Sequence, residues 1–181
     1  MKTQTKNRLV LIAVVLLFAA PLLIAYALNT QGWRPQNTRN SGTLVDPPLS
    51  VATAPVTITG GAKLVWRNPQ WQWTLLALPG PHCETQCQTR MDELLRMRLT
   101  LGRNAERLRI VYLGPQVPLS SFNAAALLVG SDDAGTFARY RAQREDALAL
   151  VLVDPNGVLM MHYADGYSAM GVRSDVQRVF H

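Results

Sequence analysis

The stretch Trp73-Thr74-Leu75-Leu76-Ala77-Leu78-Pro79-Gly80-Pro81-His82-Cys83-Glu84-Thr85-Gln86-Cys87 carries both cysteines of the chain and the change of pattern that decides its fold. Residues 71–78 are aromatic and aliphatic and read as a strand, which Pro79-Gly80-Pro81 ends. Beyond it, Cys87, Met91, Leu94, Leu95 and Leu99 recur at spacings of three and four, the apolar stripe of a helix. Gln88, Arg90, Asp92, Arg96 and Arg103 fill the other faces, and Gly102 is placed as a C′ residue. The cysteine pair therefore falls where a strand ends and a helix begins.

That position has chemical consequences. Free N–H groups and the macrodipole at a helix N-terminus favour negative charge, so a thiol there is made more acidic. Residues four apart share one helical face, and the pair can be a dithiol, a disulfide or two ligands of one soft metal ion. A bond closing so short a loop removes little chain entropy, so a purely structural staple is the weaker reading. Cys83, nearer the loop, is the expected attacking thiol, and Cys87, inside the first turn, the resolving one. His82 is a candidate proton acceptor or neighbouring cation. Glu84 is a carboxylate that would raise a thiol pKa against the helix dipole. Arg90 lies near enough to attract a thiolate.

Working toward the C-terminus, Leu108–Leu113 reads as a buried strand, 114–124 as a loop or short helix, and 126–129 as a short strand. Residues 132–143 are expected to form a helix burying Phe137 and Tyr140, capped by Ser131 or Asp132. Ala147–Val153 is an apolar strand, Asp154-Pro155-Asn156-Gly157 a turn, and Val158–Tyr163 the partner strand. The last ten residues read as a helix with Val172, Val176 and Val179 on one side. Met160 and His162 share one strand face and are residue types suited to copper. Asp146, beside Glu145, is a candidate contact of the cysteine site.

Working toward the N-terminus, Val56–Thr59 and Lys63–Trp66 flank Gly60-Gly61 as a hairpin. Residues 29–50 are rich in Asn, Thr, Gln, Gly, Pro and Ser and read as a flexible linker. Leu9–Leu28 is twenty residues without a charge, about the length that spans a ~30 Å hydrocarbon core. Lys2, Lys6 and Arg8 precede it with no acid among them, which puts residues 1–8 in the cytoplasm and the rest outside. Ala25-Tyr26-Ala27 resembles a signal cleavage site, but the apolar stretch is longer than a signal peptide needs. Either reading sends the domain to an oxidising compartment. The expected division is 1–8 cytoplasmic, 9–28 transmembrane, 29–50 linker and 51–181 domain. The net charge of +6 falls to +3 beyond residue 28, with 15 basic and 12 acidic side chains and no basic run interleaved with aromatics, so a nucleic-acid partner is excluded.

The order strand–helix–strand, then a hairpin and a closing helix, points to an α/β fold. The expected form is a thioredoxin-like sandwich, a central mixed sheet flanked by helices, with another small α/β fold as the alternative. The segment Trp73 to Cys87 resembles the signature of the Sco/SenC family, in which a Trp, an apolar strand and a Gly-containing turn precede C-P-x-x-C. The resemblance continues through Leu128-Val129-Gly130-Ser131 and through Ala147 to Gly157, and spans roughly residues 56–180. It implies a membrane-anchored thioredoxin-like protein of cytochrome c oxidase assembly, on the outer face of the plasma membrane, acting on a protein thiol, a disulfide or the copper site of an oxidase subunit. It also implies copper bound by Cys83 and Cys87. Two positions depart from the family pattern: Glu84 stands where it has proline, and Asp146 where it has a third, histidine ligand. A carboxylate is a poor ligand for Cu(I). The expected function is thiol–disulfide exchange through Cys83 and Cys87, with Cu(I) carriage by the same cysteines and a non-catalytic assembly factor as alternatives.

Overall fold

The computed structural model describes residues 2–32, 39–67, 69–114 and 127–180. It falls into two units, residues 1–39 and 40–181. The first contains helix α1, Lys2–Thr30, with Pro21 inside it. Its segment Lys6–Thr30 is long and apolar enough to cross a membrane. The large side chains from Leu9 to Ile24, and Tyr26 beyond them, are exposed, an arrangement that water disfavours and lipid accepts.

The second unit is built on one seven-stranded mixed sheet. The strands are β1 (Thr43–Ser50), β2 (Val56–Ile58), β3 (Trp73–Pro79), β4 (Leu108–Leu113), β5 (Leu127–Asp132), β6 (Leu148–Val153) and β7 (Val158–Tyr163). Their order across the sheet is β1-β7-β6-β3-β4-β5-β2. Strands β3, β4 and β5 run parallel, and β6 lies antiparallel to β3. Helices α2 (Thr85–Leu99) and α3 (Ala169–Val179) complete the frame.

Alternation along the central strands divides the core in two. Leu75, Ala77, Ile110, Tyr112, Leu150 and Leu152 point to one face, where Cys87, Met91, Leu94 and Leu95 of α2 and Val172 and Val176 of α3 cover them. Leu76, Leu78, Val111, Val151 and Val153 point to the other, where Trp66, Phe137 and Tyr140 pack. Strand β3 is buried on both faces, which is why its sequence is a continuous apolar run rather than an alternating one.

Several expectations are corrected. The last eight residues of the expected linker form β1, paired antiparallel with β7 at the sheet edge. Pro47 and Pro48 lack the N–H that a central strand would need, and an edge strand tolerates that. The chain entering β1 is held by Asp175, a buried carboxylate that accepts from Ser41 N at 2.8 Å and Gly42 N at 3.0 Å. The hairpin near Gly60-Gly61 reduces to one bridge, Thr57 with Lys63, and β2 pairs instead with β5. No helix forms over 132–143. The Asp132 carboxylate accepts from Thr136 N and Phe137 N, turning the chain after β5, and only Ala138–Tyr140 is helical, as a 3-10 turn. Phe137 and Tyr140 are buried all the same. Leu99 is exposed, and Leu101 is buried in its place. Gly102, with φ +58°, opens a 3-10 turn (Gly102–Arg107) rather than serving as C′. Of the stretch 114–124, expected as a loop or short helix, all but Gly114 lies outside the described residues, as does His181.

Candidate redox site

Central strand β3 delivers the chain at Pro79 to the carboxyl end of the parallel strands, and four residues later Cys83 precedes α2. Cys83 and Cys87 are joined as a disulfide, with Cα atoms 5.1 Å apart. Cys87 is fully buried against the core, whereas Cys83 is partly exposed. The two sulfurs thus differ in access.

The first turn of α2 has no side-chain cap of its own: Glu84 occupies the N-cap position, and its side chain bonds none of the free amides. Asp146 supplies the cap from the loop before β6. Its Oδ1 accepts from Glu84 N at 2.7 Å and Cys87 N at 3.0 Å, and its Oδ2 from Gln86 N at 2.8 Å. Asp146 itself adopts φ +50°, the left-handed region, which turns its carboxylate toward the helix. The Cys87 amide, with those of Gln86 and Glu84, holds the carboxyl below the usual carboxylate range against a smaller desolvation effect. A second clamp joins the same two loops, Gly80 N donating to Ala147 O at 3.0 Å. A Cβ at residue 80 would run into the Arg144 carbonyl oxygen, so only glycine allows this approach. Arg144 in turn pairs with Asp165.

Of the residues singled out from sequence, Cys83, Cys87, Glu84 and Asp146 come together here. His82 is exposed and lines a cleft of about 260 Å³ with Pro79, Gly80, Pro81, Cys83, Glu84 and Tyr112. Arg90 is engaged elsewhere, paired with Glu93 at 2.8 Å and lying over the Tyr167 ring. His162 belongs to the opposite face of the sheet: its Nε2 lies 3.3 Å from Tyr140 O, and burial lowers its pKa. Met160, expected on the same strand face as His162, instead packs against the core on the α2 and α3 side, where the register of β7 on β6 shifts. For Cu(I), the site offers two sulfurs once reduced and, at the third position, a carboxylate whose oxygens are taken by three amides. That carboxylate is a poor third ligand for a soft metal ion.

Tyr112 was not singled out from sequence. It is wholly buried, its hydroxyl has no hydrogen-bond partner among the described residues, and burial pushes its pKa up to about 12, with Arg141 opposing. It reaches the cleft because β4 pairs with β3 in the register Ala77 to Tyr112, a fact no local pattern carries.

Solved structures share this fold at low identity. Yeast Sco1 with copper bound matches with a TM-score of 0.55 at 14% identity, over 77% of this chain and 91% of that one. Apo Sco1 from Thermus thermophilus matches with 0.54 at 17% identity, over 80% and 99%. BsSco, a member of the Sco family of cytochrome c oxidase assembly proteins in which a disulfide switch has been identified, matches with 0.51 at 14% identity, over 74% and 96%. These likenesses show a thioredoxin-like fold. No curated protein matches the sequence. The family model described as "Transmembrane-like, thioredoxin-like, C-terminal domain" matches residues 73–181, more than half of the chain and the whole of the cysteine site, and the protein belongs to that family.

Proposed function

We propose that this protein is a membrane-anchored thiol–disulfide exchange protein that serves the copper centre of a respiratory oxidase during its assembly. In this reading residues 9–28 cross the plasma membrane, residues 1–8 stay in the cytoplasm and the domain works on the outer face. The observation that carries the proposal is the Cys83–Cys87 disulfide at the start of α2, one sulfur partly exposed and the other buried.

The chemistry follows from that asymmetry. In the reduced protein, the Cys83 thiolate attacks one sulfur of a partner disulfide. A mixed disulfide forms and the second partner cysteine leaves as a thiolate. Cys87, deprotonated in turn, attacks the Cys83 sulfur, closes the intramolecular disulfide and releases the first partner cysteine. Two electrons pass to the partner, whose two sulfurs take up the protons the pair gives up. In this reading His82 and Glu84, the chain neighbours of Cys83, trade protons with it or bias its charge, and Asp146 caps the turn between the sulfurs. The oxidase target rests on the resemblance to Sco proteins. Exchange is preferred over Cu(I) carriage by the same sulfurs because Asp146 spends its oxygens on backbone amides.

The test is a trap in the native membrane. Replacing Cys87 with serine removes the resolving thiol, so the mixed disulfide at Cys83 accumulates, and its partner is identified by mass spectrometry after non-reducing separation. An oxidase subunit with a cysteine pair at its copper site is the expected capture. Wild-type activity in a Cys83→Ser/Cys87→Ser double variant would sink both the exchange and the copper readings, and leave the domain as an interaction module.

A further inference from the structure

The disulfide needs a shape that a regular helix does not supply. Residues four apart on a regular helix have Cβ atoms about 5–6 Å apart, where a disulfide needs about 3.8 Å; their Cα atoms would be about 6.2 Å apart, whereas those of Cys83 and Cys87 stand at 5.1 Å. The difference is made at Glu84, whose φ of −110° and ψ of −137° are not helical. Its N–H is turned onto Asp146 Oδ1, the same oxygen that accepts from Cys87 N, so one atom binds the chain at both ends of the bridge. Asp146 lies about sixty residues away in sequence and is fixed by its own left-handed backbone and by the Gly80–Ala147 bond.

We infer that Asp146 is a positioning residue that holds the start of α2 in the shape closing the Cys83–Cys87 disulfide, and so sets how strongly the pair prefers the oxidised form. This rests on the exchange reading of the pair and adds what controls its equilibrium. With the turn held, the two sulfurs remain within bonding reach after reduction and re-oxidation is favoured. With the acceptor removed, Glu84 and Cys87 are free to separate and the dithiol gains.

The experiment measures the equilibrium of the full-length protein with glutathione, in which the disulfide plus two glutathione thiols gives the dithiol plus glutathione disulfide. Thiols are counted by alkylation and mass. Asp146→Ala is expected to shift the constant toward dithiol by about tenfold, which is about 30 mV for a two-electron couple. Asp146→Asn keeps an oxygen for Glu84 N and Cys87 N and loses only the Gln86 bond, so it is expected to stay within about threefold of wild type. Asp146→Ser, with one acceptor, replaces the alanine variant should that one not fold. A constant unchanged in all variants overturns the inference. So does an asparagine variant shifted as far as alanine, because charge rather than position would then be responsible. The constant can be measured whether or not any protein partner reacts, so failure to trap a partner would count against the exchange reading without touching this one.

Discussion

Reducing the disulfide is the perturbation whose size separates an exchangeable pair from a structural staple. The bridge joins residues only four apart. Loop-closure entropy for so short a loop amounts to about 2 kcal/mol at 25 °C, against about 3 for a fifteen-residue loop. The native contacts on the helix side do not depend on the bond: Cys87, Met91, Leu94 and Leu95 are buried against the sheet, and Asp146 holds the first turn. The reduced domain is therefore expected to stay folded. With an unfolding entropy of about 2.1 cal/mol/K per residue, about 2 kcal/mol over a unit of about 140 residues lowers Tm by about 7 °C. The same difference makes the folded pair about 40 mV more reducing than the unfolded one. The assay is calorimetry of the full-length protein in detergent, oxidised and then fully reduced with a phosphine. Loss of the cooperative transition on reduction, or a fall beyond about 15 °C, would refute the reasoning and make the bridge a fold requirement.

Two further predictions concern buried polar groups near the frame of the site. The Tyr112 hydroxyl is buried without a partner among the described residues, so Tyr112→Phe is expected to stabilise the protein by about 1 kcal/mol in denaturant unfolding, and a loss of similar size would mean that the hydroxyl is satisfied in solution. Asp175 accepts from Ser41 N and Gly42 N and lies 3.3 Å from the Tyr163 hydroxyl. Asp175→Ala strands those donors and is expected to cost about 3 kcal/mol, Asp175→Asn clearly less, and equal losses in the two would count against the hydrogen-bond account.

Much of the molecule was legible one segment at a time. The uncharged run from Leu9 to Leu28, the strand ending at Pro79, the helical stripe from Cys87 to Leu95, the turn at Asp154–Gly157 and the final helix all depend on interactions within a few residues, which sequence spacing encodes directly. The placement of the cysteine pair at a strand-to-helix junction is local in the same sense, and it was enough to point to a thioredoxin-like fold and to thiolate chemistry. The helix expected over 132–143 failed although its apolar spacing was sound, because the Asp132 carboxylate satisfies the amides of the following turn and Phe137 and Tyr140 reach the core from a 3-10 turn instead.

Tertiary structure alone decided the rest. Residues 43–50 look like linker until β7 offers an edge to pair with, and two prolines do no harm there. Tyr112 comes to the cleft beside Cys83 through the register of β4 on β3. Asp146 was readable as an acid in an unusual place, but not as the cap of α2, because its three amides lie about sixty residues back along the chain. Sequence periodicity records which face of an element is apolar; it does not record which distant group will meet a free N–H, since that depends on how the sheet brings the two loops together.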